Sequence, residues 1–159
     1  MVTVRPAGLA AQVGTQDSAH PTLRLRSPEF TLNGAGNLTA WLRGGTGSGS
    51  LNGTGVSALP ANTTSPGFQG VALRNVNTGN YLLSGKKSSS GDTWQQAVFT
   101  AAELTALPPG VYTLDLIDAG HGGWGWVAMD SVSIPGTPVS THPPTLKVQR
   151  WTSNQVRIS

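Results

Sequence analysis

The sequence predicts an all-β fold, an antiparallel β-sandwich of jelly-roll type with at most one short helical turn near residues 100–107. Three observations predict it. Apolar and polar residues alternate over runs of only a few positions, the period of a half-buried strand. The 21 glycines and 11 prolines, with clusters of Asn, Ser and Thr, punctuate those runs as turns. No run of helical period is long enough for more than one turn, and no internal repeat of fixed period is visible.

In chain order, residues 1–20 read as an irregular segment that His20-Pro21 closes, because the residue before proline is pushed out of the helical region. The sandwich is expected over 21–136. "TLRLRSPEFTLNG" sets Leu23 and Leu25 against Arg24 and Arg26, then Phe30 and Leu32 against Glu29 and Thr31. "NGAGN" is a turn, and "LTAWLRGG" sets Leu38, Ala40 and Leu42 against Thr39, Trp41 and Arg43. Residues 44–67 form a long loop too rich in Gly, Ser, Thr and Pro to bury a face, and such a loop is either functional or mobile. "FQGVALRNV", an "NTG" turn and "NYLLSG" read as a hairpin. "TWQQAVF" is a strand leading into the helical turn, where Thr100 as N-cap and Glu103 three residues on form a capping box, and Pro108-Pro109-Gly110 ends it. "VYTLDLID" is the cleanest strand, and "WGWVAMDSVSIPG" supplies the last. Residues 137–145 read as a Pro/Thr linker, and 146–159 as appended strands or the start of a further module of a larger, multidomain chain.

Composition narrows the function. The formal charge is +3, but only 11% of residues are charged and the arginines are scattered, so no basic groove for nucleic acid is expected. The chain has no cysteine, which removes disulfides, thiol catalysis and Cys-ligated zinc together. No apolar run approaches the ~20 residues of a membrane-spanning helix, and the first residues lack a signal-peptide pattern. A chain rich in Gly, Pro, Ser, Thr and Asn nonetheless suits an extracellular or cell-surface β module.

The richest stretch is "DLIDAGHGGWGWVAMDSVSIPG", residues 115–136. A hydrolase built from Asp118, His121 and a serine is disfavoured, because Asp and His three residues apart across a turn rarely align a triad and no G-x-S-x-G elbow is present. His20, His121 and His142 lack zinc-ligand spacing. Calcium takes carboxylates and turn carbonyls, so Asp118, Asp130 and Asp17 are candidate ligands for a structural ion, or else they cap turns through backbone N–H groups. An indole beside polar groups on a rigid turn is what a sugar needs, since its C–H face stacks on the ring while its hydroxyls need directed partners. Trp124, Trp126, His121 and Asp118 are therefore the candidate ligand contacts. Which of the two indoles faces outward is open, while Trp41 and Trp94 are expected to be buried.

Taken together, "SPEFTLNGAGNLTAWLRGG", "FQGVALRNVNTGNYLLSG" and "WQQAVFTAAELTALPPGVYTLDLIDAGHGGWGWVAMDSVSI" resemble the jelly-roll, galactose-binding-like modules appended to secreted glycoside hydrolases of the levanase and invertase type and to large bacterial surface proteins. The resemblance spans residues 27–135, about two thirds of the chain. It implies a non-catalytic, lectin-like carbohydrate-binding module for terminal sugars of a polysaccharide or glycan, often with a structural Ca2+. Asp118, Trp124 and Asp130 match the closing motif, and Arg74 lies in a matching strand where it would contact the sugar. The alternatives are a structural or adhesion spacer without a glycan ligand and, third, a small hydrolase.

Overall fold

The structure, a computed structural model, describes residues 2–4, 11–14, 21–44, 51, 59, 63–64, 67–86, 91–122, 125–139, 148–150 and 156–158. Its elements in chain order are β1 (Val2–Val4), β2 (Ala11–Gly14), β3 (Leu23–Arg26), β4 (Phe30–Leu32), β5 (Leu38–Gly44), β6 (Thr63–Thr64), β7 (Gln69–Asn75) and β8 (Tyr81–Lys86). They continue with β9 (Gly91–Phe99), α1 (Ala101–Thr105), β10 (Val111–Asp118), β11 (Gly120–His121), β12 (Trp126–Ile134), β13 (Gly136–Pro138), β14 (Val148–Arg150) and β15 (Val156–Ile158).

Two antiparallel sheets form the sandwich. The first runs β1-β12-β5-β9, with β2 beside β1 on the same edge of β12. The second runs β13-β4-β10-β7-β8, with β3 following β4 along β10. The period of two in the sequence is what places their facing residues in one core. Leu38, Ala40 and Leu42 of β5, Ala97 and Phe99 of β9, and Val127, Val132 and Ile134 of β12 meet Val71 and Leu73 of β7 and Tyr112, Leu114 and Leu116 of β10. Each fully buried Leu or Val contributes about 1.5–3 kcal/mol relative to exposure, so this layer is the main source of stability.

α1 forms as the capping box requires. Thr100 is extended, its hydroxyl accepts from the Glu103 N–H at 3.3 Å, and the Glu103 carboxylate accepts from the Thr100 N–H at 2.7 Å. The Thr100 N–H, and then its hydroxyl, which also donates to that carboxylate at 2.8 Å, hold the Glu103 carboxyl below its ordinary range. Leu104, the buried residue of this turn, anchors it to the core.

Three expectations are corrected. Residues 1–20 are not wholly irregular, because β1 and β2 pair with the edge of β12 in registers Val2↔Ile134 and Val13↔Val127. The strand region does not stop at 136, since β13 extends it to Pro138 by pairing with β4. The 44–67 loop does bury apolar surface: Leu51 and Leu59 join Phe68, Ala72, Tyr81, Ile117 and Ala119 in a second cluster on the outer side of the second sheet. Within a Gly/Ser-rich stretch these two leucines pack on a sheet face. β14 and β15 pair with each other, Gln149 opposite Arg157.

Candidate functional site

The glycine-rich closing turn is tight and built on backbone contacts. A Cβ at Gly125 would lie 2.6 Å from the Cα of His121, and the Gly125 N–H donates to the Gly122 carbonyl at 2.7 Å, so only glycine lets the chain double back here. β11 pairs in parallel with β6, which docks the turn on the 44–67 loop with His121 opposite Thr64. His121 and Trp126, at the two ends of the turn, are half-buried. Trp124 lies outside the described residues, as does Asp17.

Asp118 is fully buried, and its Oδ1 accepts from the Gln69 side-chain amide at 3.1 Å and from the Gly120 N–H at 3.0 Å. It caps the turn from inside, and a carboxylate with no exposed surface does not contact a sugar in this conformation. Arg74 sits on the second sheet, where its Nε donates to the Gly79 carbonyl at 3.0 Å and clamps the β7–β8 turn. That turn is further held by the Asn75 side-chain oxygen, which accepts from Asn77 and Thr78 N–H groups. Arg74 therefore serves a hairpin in the opposite sheet from Trp126.

Asp130 lies on the outer face of the first sheet, on β12, where its Oδ1 accepts from the Ser131 N–H at 2.6 Å. Ser131 has a positive φ of 49° at a β-bulge, a conformation that short polar side chains tolerate. Asp118 and Asp130 sit on different sheets, each with an oxygen engaged by an N–H donor, and among the described residues no three His, Asp or Glu side chains converge.

What the structure brings together is a different set. Along β5 the outward residues are Thr39, Trp41 and Arg43, and Trp41 is 39% exposed, contrary to its expected burial. Pairing places Asp130 and Gln96 directly on either side of Trp41, one on each neighbouring strand. Trp94, expected in the core, is half-buried on the same face, with the Arg43 guanidinium over its indole at 5.9 Å from the ring centroid. Trp126 closes this end of the face with its ring over Gly44. At φ 110°, a Cβ on Gly44 would lie 2.4 Å from the Trp126 carbonyl and 2.9 Å from its ring. No described tryptophan belongs to either apolar cluster.

The outer face of the second sheet has the opposite character. Asp115, fully buried, accepts from Arg26 Nε at 2.9 Å and Nη2 at 2.8 Å, and from the Tyr81 hydroxyl at 2.6 Å, with Arg24 at 3.9 Å. Burial, and then the hydrogen bond to Asp115, push the Tyr81 hydroxyl above its ordinary value. The bond to Asp115 likewise raises Arg26.

Between the sheets, beside the bulge, opens an apolar cleft of about 260 Å³ lined by Leu25, Leu114, Met129, Val132 and Ile134, with Asp130 and Ser131 at its rim. Comparison of the chain with protein-family models, curated proteins and solved structures gave no match.

Proposed function

We propose that the chain is a non-catalytic, carbohydrate-binding module of jelly-roll type from a secreted or surface protein, consistent with the resemblance in residues 27–135. One observation carries this reading: Trp41, Trp94 and Trp126 all lie on one sheet face outside the cores, and Trp41 stands between a carboxylate and a carboxamide. Burying a tryptophan is the cheap outcome for a domain this small, so an exposed one flanked by hydrogen-bonding groups fits a ligand that is apolar on its face and polar at its rim. Sugars have that anatomy. In this reading Asp118, buried inside the closing turn, and Arg74, bonded to the β7–β8 turn, act on turns.

Affinity electrophoresis through gels containing neutral polysaccharides tests the reading. Retardation in at least one gel, absent in a gel without polymer, is the expected result. Migration unchanged in a β-glucan, a xylan, an arabinan and a fructan would leave the second reading, a structural spacer, which the turn-capping roles of Asp118 and Arg74 favour.

A further inference from the structure

We infer that the ligand lies along the outer face of the first sheet, as an internal run of a neutral polysaccharide crossing the strands over Trp41 and Trp94, and not as a chain end held in the closing turn. This rests on the glycan reading above and adds where and how the polymer sits.

The geometry has three parts. First, Asp130, Trp41 and Gln96 form a transverse row over three adjacent strands, about 10 Å from end to end at the usual strand spacing. Arg43 stands two residues further along β5, about 7 Å from Trp41, and carries Trp94 beside it. Two indoles so separated take two different sugars, with a carboxylate acceptor, an amide and a guanidinium at hand for hydroxyls. Second, the face is open. Trp41 is 39% exposed, Val98 41%, and Gln96 is exposed, so among the described residues the indole row has no wall against which a terminal sugar would stop. Third, the strands of this face carry few charges, Arg43 on β5, Asp92 on β9 and Asp130 on β12 among the described residues. That sparseness suits an uncharged polymer and offers little attraction to a polyanion or polycation. A second copy of the chain is a poor occupant. The apolar surface that Trp41 and Val98 expose amounts to roughly 200 Å², against the roughly 800 Å² per partner of a stable interface.

The experiment compares long and short preparations of whichever neutral polysaccharide retards the protein, at equal mass, and follows indole fluorescence in the intact chain and in Trp41→Ala and Trp124→Ala. An internal-run site gives equal or tighter binding to the longer polymer, whose ends are fewer, no dependence on salt, and a loss of about tenfold or more in Trp41→Ala with an unchanged circular dichroism spectrum. Binding that follows the number of chain ends, survives Trp41→Ala and is lost in Trp124→Ala would overturn the inference while keeping the glycan reading. Silence toward every polysaccharide sinks both. Concentration-dependent dimerisation abolished by Trp41→Ala would assign the face to a second copy instead.

Discussion

The two outer faces of this sandwich come from the same kind of alternating strand and end in opposite states. On the second sheet, the outward residues of β7, β8 and β10 include Ala72, Tyr81 and Ile117, and the 44–67 loop lays Leu51 and Leu59 over them. On the first sheet, the outward residues of β5 and β9 include Trp41, Gln96 and Val98, and they stay exposed. A covered face can afford a buried carboxylate only if its donors are covered with it, which is what Arg26 and Tyr81 provide for Asp115. An exposed face keeps indoles only where burial is not their role. The sandwich covers one outer face with a loop and leaves Trp41 and Val98 exposed on the other.

Breaking the covered face has the largest effect. Asp115→Ala removes the acceptor of two Arg26 bonds and of the Tyr81 hydroxyl, and leaves a buried phenol without its acceptor. A loss of about 3 kcal/mol in urea unfolding is expected. A loss under about 0.5 kcal/mol would mean that the loop cover is not formed in solution.

The next effect is smaller and is read through pH. The Tyr81 hydroxyl is raised by burial first and by its bond to Asp115 second, so the folded state holds this proton more tightly than the unfolded chain does. The stability from that preference is fully present below the ordinary tyrosine value of about 10 and is lost as pH rises through the higher folded value. Stability should therefore fall on the alkaline side of about pH 10, and Tyr81→Phe should flatten the fall. The flattening is partial, because burial raises the Tyr112 hydroxyl as well. At neutral pH the same variant should cost about 1.5–3 kcal/mol, the worth of one hydrogen bond to a charged group. An alkaline limb of unchanged slope would show that Tyr81 is open to solvent.

The contrast between the faces also marks what the sequence could tell. Alternation in "LTAWLRGG" already sets Trp41 in register with Thr39 and Arg43, opposite Leu38, Ala40 and Leu42. The exposed indole was legible there, and only the general preference of tryptophan for burial argues the other way. The capping box of α1 was legible too, because its two partners are three residues apart. The covered face was not. Asp115 finds Arg26 across 89 positions, and Leu51 and Leu59 are isolated in a loop whose composition promises no packing. Local pattern encodes which way a residue points, whereas what lies above it depends on which distant segment folds back. Asp118 and Arg74 show the same limit, since a carboxylate inside a turn and an arginine clamping one look like ligand contacts until their partners Gln69, Gly120 and Gly79 are known.

The smallest expected effect is the most discriminating. Trp41→Ala should change unfolding free energy by about 1 kcal/mol or less, and part of that is the poorer strand propensity of alanine. Trp41→Thr keeps a β-branched residue at the position, so it isolates the indole and should fall within about 0.5 kcal/mol of the parent protein. A ring set opposite Gln96 and Asp130 on the neighbouring strands contributes about what a cross-strand pair does. If both variants instead lose about 3 kcal/mol, as a core aromatic would, the indole is a structural lid and the first face is as closed as the second. If both unfold like the parent, stability does not explain why an indole stands there, and an outside partner for that face is the explanation left.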